Sequence, residues 1–487
     1  MYDAPRDTPA DLAERFRQLK VFDEAEVALV RACVRRPDRL PRTHEVALRQ
    51  ALNLARLWVI PDAQGGSELS VGPVLSPIRD QLRGLAERIV AAGEEADPVG
   101  FAQDAELIMP LLASGKETLL SRFTGHLLPS ALDRELGQKA LVLVLGGGGG
   151  CGYVHLGAFS VLEHCGAVPS LIVGSSIGSI LGLFRSRERH YREAMVRAVT
   201  HGISFKQLFR ILESDARFGV PGTLRLYLRS ALSRFFVSPR GDTLRMGELE
   251  VPFVCVVTGI RREAIRGEMA DYERVLAREL TSRGAFAALL HIKDLITNWA
   301  GLMRDMISTP GAAKAIAIGA DPDTADFDVL DAVGFSCSVP ALIHYDILRD
   351  DPRMEEQARA LLARNDVHLL VDGGVTANVP ARFAWESVQR GRIGTRNAFI
   401  LSLDCFAPQL RRNMLFLPVQ RIAADNVGRD RPFAHAHFSY KKVLSPASLV
   451  PGPKSLRSAI ENGREEFERE SPFVQKMLEP LPPVKSG

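Results

Sequence analysis

Leu141-Val-Leu-Val-Leu-Gly-Gly-Gly-Gly-Gly-Cys-Gly-Tyr-Val-His-Leu-Gly157 is the stretch that decides the fold. An apolar run of strand length, 141–145, empties into a glycine loop, 146–152, which opens a helix-patterned segment over 153–164. Glycines leave backbone N–H groups uncovered, and a helix N-terminus adds the positive end of its dipole, so the loop is suited to an anion. The anion is either a bound phosphate or an oxyanion that forms during a reaction.

Gly147-x-Gly149-x-x-Gly152 matches the dinucleotide fingerprint, which requires an acidic residue about 20 positions on to hold a ribose. No Asp or Glu lies between Glu163 and Arg187. The next apolar run, Leu171-Ile-Val173, ends instead in Gly174-Ser175-Ser176-Ile177-Gly178. This is G-x-S-x-G, a serine on a tight strand-to-helix turn. Side chains at Gly174 and Gly178 would clash where the backbone doubles back. The pattern favours the oxyanion.

The 487 residues exceed one typical core, so two or three folding units are expected. A hydrophobic fraction of 46% and a charged fraction of 24% are those of a globular protein, and a net charge of +3 gives no reason to expect nucleic acid. The six cysteines are scattered without C-x-x-C pairs, which points to reduced thiols in a cytoplasmic setting. No signal-peptide pattern is present, and no apolar run reaches the roughly 18–20 residues of a membrane span.

Residues 1–138 have helical spacing and carry no recognisable chemistry. From 139 to 410, strands alternate with glycine turns and helices, which predicts an α/β domain with a mostly parallel sheet. Its candidate strands are 140–145, 170–173, 251–257, 367–371 and 398–403. Within it, 200–330 reads as a helical insertion and lid candidate. Between Lys206 and Arg240, seven Lys or Arg interleave with Phe205, Phe209, Phe218, Phe235 and Phe236. Residues 205–240 suit either a solvated helical cover or peripheral contact with an anionic lipid surface. The extension 411–487 begins basic and ends in a helix over about 453–478. Its His435-Ala-His437 has no neighbouring carboxylate or cysteine to complete a metal site.

A serine nucleophile needs a base and donors for the tetrahedral oxyanion. Ser176 is the candidate nucleophile, and no histidine sits in a setting suited to a triad. Asp372, in Val371-Asp372-Gly373-Gly374-Val-Thr-Ala-Asn378-Val-Pro380, follows a buried-looking strand and precedes two glycines that permit a sharp turn. A carboxylate in a dry site can take the serine proton. Alone, Asp372-Gly373-Gly374 is equally an ordinary turn.

The glycine loop, Gly174-x-Ser176-x-Gly178 and Asp372-Gly373-Gly374, in this order, resemble the patatin-like phospholipases. Asp331-Ala-Val-Gly-Phe-Ser336-Cys-Ser338-Val-Pro340-Ala is similar to the small-residue-and-proline segment of that family. The resemblance covers about 139–410 and implies a three-layer α/β domain. It also implies cleavage of fatty-acyl esters of phospholipids or other acyl lipids, without a metal or other cofactor. On it, Ser176 is the nucleophile, Asp372 the base, and Gly147, Gly148, Gly149, Gly150, Cys151 and Gly152 form the oxyanion loop, centred on Gly148–Gly150. Cys151 stands where the family usually has Arg or Lys. Other readings are a lipid-binding protein with little turnover, a lipid transacylase and a nucleotide-binding oxidoreductase.

Overall fold

The computed structural model describes residues 7–65, 68–194, 204–211, 217–264, 311–347, 349–408 and 417–484. The chain forms two compact units. The first gathers Met1–Val142, Trp385–Ile400 and Arg469–Gly487, and the second Leu143–Ala384 and Leu401–Glu468.

The first unit is built on α1 (Pro9–Arg35), α2 (Arg42–Arg56), α3 (Ser76–Ala92), α4 (Ala102–Arg122) and α5 (Pro129–Gly137), with a hairpin of β1 (Val59–Pro61) and β2 (Glu68–Ser70). Thr8 starts α1 through a capping box: its Oγ1 accepts from Asp11 N–H, and the Asp11 carboxylate accepts from Thr8 N–H. Phe22, Leu29, Leu48, Leu52 and Leu54 fill the core between helices. Glu26 is also fully buried there, bonded to Arg49 at 3.1 Å, Arg56 at 2.6 Å and Lys139 at 2.9 Å.

The second unit contains β3 (Ala140–Leu145, which begins in the first), α6 (His155–His164), β4 (Pro169–Ser175) and α7 (Ile177–Ser186). There follow β5 (Phe209–Ile211), β6 (Gly222–Leu226), β7 (Phe253–Ile260), β8 (Ala313–Ile318), β9 (Ala341–His344), β10 (Leu369–Val371), β11 (Ala398–Asp404, which also begins in the first) and β12 (Ala436–Ser439). The central sheet runs β10-β7-β4-β3-β11-β12, with β8 also on β7. This is the expected α/β fold with a mostly parallel sheet, and β3, β4, β7 and β11 are nearly continuous apolar runs because both sheet faces are buried.

Within the 200–330 segment, 200–203, 212–216 and 265–310 lie outside the described residues. The described remainder includes β5 and β6, which form a small sheet with β9, together with β7, β8 and short helices. Among the described residues no helix is long and apolar enough to cross a membrane.

Two pairings, β10 with β7 and β8 with β7, depart from the parallel expectation, and the first builds the site. β4 runs parallel to β7, with Ser175 opposite Val256, whereas β10 runs antiparallel to β7, with Val371 opposite Thr258. β8 pairs with Cys255–Ile260 of β7, so β4 and β10 share the other edge. They approach each other head to head along it. The residue after each, Ser176 and Asp372, is delivered to the same place.

Candidate active site

Ser176 has φ 51° and ψ −128°, a conformation that costs a non-glycine residue free energy and persists only when its surroundings over-determine it. Those surroundings are visible. Ser176 N–H donates to Ser336 Oγ at 2.9 Å, and that hydroxyl donates to Val256 O at 2.6 Å. Ser176 O accepts from Ser179 N–H at 2.8 Å and Ser179 Oγ at 2.6 Å. A Cβ on Gly178 would fall 2.3 Å from Leu145 O, so the crowding expected at this turn is present.

Asp372 is 6% exposed. Its Oδ1 accepts from Gly374 N–H at 2.8 Å, and its backbone N–H donates to Ser338 O at 2.8 Å. Burial withholds water from the anion and raises the carboxyl to about 7, against the opposing pull of the Ser176 hydroxyl and the Gly374 amide. Oδ2 is buried without a partner of full hydrogen-bond geometry. Among the described residues no histidine is bonded to Ser176: His344 Nδ1 meets Val220 O, His437 Nδ1 meets Ser402 Oγ, and His368 is exposed.

The glycine loop is held from several sides. Gly146 N–H donates to Leu403 O, Gly147 N–H to Asn378 O, Gly150 N–H to Pro446 O and Cys151 N–H to Gly148 O. Three of the six amides expected as oxyanion donors, those of Gly147, Gly150 and Cys151, are therefore already engaged. Among the described residues the Gly148 and Gly149 amides carry no such bond. Gly152 lies within the 3₁₀ turn Gly149–Val154.

Cys151 points inward. Its thiol donates to Leu444 O at 3.1 Å, and burial, with Asp404 nearby, pushes it up to about 12. His155 Nε2 lies 3.1 Å from Gly146 O, and burial lowers this imidazole to about 4, so it is neutral and donates to the carbonyl that opens the loop.

Sequence reasoning assigned no role to Ser336, Asn378, Asn426 or His155, nor to the carbonyls of Leu444 and Pro446. Ser336, Asn378 and His155 stood inside quoted stretches. The others have no local signal, because they act through folded proximity.

A fold of the α/β-hydrolase type carries a serine on a strained strand-to-helix turn beside a desolvated carboxyl group and a glycine loop. Residues 143–385 match the family model described as patatin-like phospholipase, and the chain carries a domain of that family. It is 30% identical over 201 residues to patatin-like phospholipase domain-containing protein 6 of Homo sapiens, covering 39% of this chain and 14% of that protein. It is 41% identical over 138 residues to the domain-containing protein 7 of Mus musculus, covering 28% and 10%. A lysophospholipase of Mycosarcoma maydis is 38% identical over 190 residues, covering 39% and 10%. The matches thus span about a seventh or less of the length of these relatives.

Proposed function

We propose that this chain is a serine lipid acyl hydrolase of the phospholipase A or lysophospholipase kind, working through a Ser176–Asp372 dyad. The observation that carries the reading is the meeting of Ser176 with a buried carboxyl group raised to about 7, with no histidine bonded to that serine among the described residues. Near neutral pH such a group is partly ionised and basic enough to accept the hydroxyl proton. The family match and a relative named lysophospholipase support an acyl-lipid substrate.

Asp372 takes the Ser176 proton as Oγ attacks the ester carbonyl, and the Gly148 and Gly149 amides hold the oxyanion. The alcohol leaves with the proton from Asp372. Water then opens the acyl-enzyme, with Asp372 again as base. Contact with the lipid surface falls to 205–240, where Phe205 is 40% and Val237 52% exposed beside basic residues.

The test is fatty-acid release from lysophospholipids, diacyl phospholipids, acylglycerols and a short p-nitrophenyl ester, by wild type and Ser176→Ala in parallel. Release by wild type that disappears in the variant is expected. Equal release by both would remove Ser176 from the chemistry, and no release from any substrate by folded wild type would remove the hydrolase reading.

A further inference from the structure

One side chain outside the matched family region, Asn426 on the helix Leu417–Asp430, clasps both ends of the loop that carries Asp372. It is 1% exposed. Its Oδ1 accepts from Asn378 N–H at 2.8 Å, and its Nδ2 donates to Gly374 O at 2.9 Å and Val375 O at 3.3 Å. A primary amide offers one acceptor oxygen and two N–H donors, and all are used here on backbone that has no strand partner.

The connections continue to both reactive groups. Gly374 N–H donates to Asp372 Oδ1, which fixes the carboxyl group. Asn378, whose N–H is held by Asn426, uses its own carbonyl to accept Gly147 N–H at 3.0 Å. That bond anchors the glycine loop one residue before Gly148. A single amide therefore braces the loop that fixes the base at one end and, at Asn378, holds the glycine loop at the other.

We propose that Asn426 is a positioning residue that couples the Asp372 loop to the glycine loop, an inference that rests on the hydrolase reading for its catalytic consequence. It touches neither the substrate nor the reacting atoms. It sets the distance between the groups that do, and an error of about 1 Å there costs on the order of 100-fold in rate.

Asn426→Ala removes all three bonds. Asn426→Asp, nearly the same shape, keeps the acceptor for Asn378 N–H and loses the donors to Gly374 O and Val375 O. Hydrogen exchange followed by mass spectrometry, on the full chain, reads the two loops directly. Labelling of Ser176 by a fluorophosphonate and steady-state kinetics read the consequence.

For Asn426→Ala, faster exchange is expected in 146–152 and 372–378, with β3, β4 and β7 unchanged. Labelling and kcat should fall on the order of 100-fold, with KM nearly constant. For Asn426→Asp, the Asn378 amide should stay protected while the Gly374–Val375 turn loosens. Unchanged exchange in both loops, or a uniform rise across the second unit, would overturn the positioning role. If wild type neither hydrolyses lipid nor labels, the hydrolase reading fails while the exchange data still decide whether the clasp exists.

Discussion

Asp372 loses its proton near pH 7 because the site withholds water from the anion. Under the proposed chemistry catalysis needs that anion, so kcat/KM should climb about tenfold per pH unit below 7 and level off above it. His155, at about 4, stays neutral throughout and leaves the limb to Asp372. Asp372→Asn should abolish hydrolysis as fully as Ser176→Ala, because the two act as one unit. A kinetic comparison of these variants over pH 5–9 checks both statements, and a variant retaining most of its activity would break the dyad.

The same carboxyl also costs stability. Folded, it keeps its proton to about pH 7, while an unfolded aspartate releases it near 4. Stability contributed by this group therefore falls as pH rises through that window and stays low above it. Asparagine escapes this penalty, on the order of 4 kcal/mol at 1.36 kcal/mol per pKa unit. Asp372→Asn should raise Tm at pH 8 and change it little at pH 4, which calorimetry at the two pH values would show. An active-site residue would then be holding the fold below its attainable stability.

At the scale of elements, β7 aligns the site: β4 and β10 end against neighbouring residues of its one edge. A second close fit joins α6 to the helix Pro453–Phe467. A Cβ on Gly157 would lie 2.3 Å from both Arg464 N and Ile460 O, and one on Gly463 would lie 2.1 Å from Val154 O. Backbone cannot retreat as a flexible side chain can. Gly157→Ala should destabilise the protein by about 1–3 kcal/mol through overpacking, seen as a lower denaturant midpoint with unchanged m.

These contacts show what was legible in the sequence. β3, β4 and β11 were legible as continuous apolar runs of strand length, and β7 and β10 nearly so. β8, Ala-Lys-Ala-Ile-Ala-Ile, and β12, Ala-His-Phe-Ser, are not such runs. The antiparallel course of β10 was hidden, since three residues carry no mark of direction. Ser176 and Asp372 stood out because each follows a strand and precedes a glycine-bearing turn. Asn426 did not, since an asparagine inside a helix has no local signature, and the carbonyls of Leu444 and Pro446 are groups every residue owns.

On the scale of the whole molecule, each unit has its own buried polar centre, and that of the first is ionic. Arg49, Arg56 and Lys139 converge on Glu26, which they hold down to about 2 against the cost of burial. Its stabilisation is present above the ordinary glutamate value and lost as pH falls through about 2. Glu26→Gln removes the anion that Arg49, Arg56 and Lys139 share, leaving Arg49 with Glu45 and Arg56 with Asp23, and should cost about 3 kcal/mol at neutral pH. Urea denaturation of the variant beside wild type measures this. A cost below 1 kcal/mol would mean that solvent reaches the cluster.

The bonds that hold the glycine loop from later segments have a consequence in time. A ribosome releases the chain from its N-terminus, so Ser176 emerges while Asp372, Asn426 and the Leu444–Pro446 carbonyls are still untranslated. β3 is then without β11, and the glycine loop has none of the later acceptors that hold it. The nascent polypeptide therefore carries Ser176 before its proposed partner exists. Under the proposed chemistry, esterase capacity arrives only after Leu444–Pro446 has been made and the later segments close around the earlier-made serine.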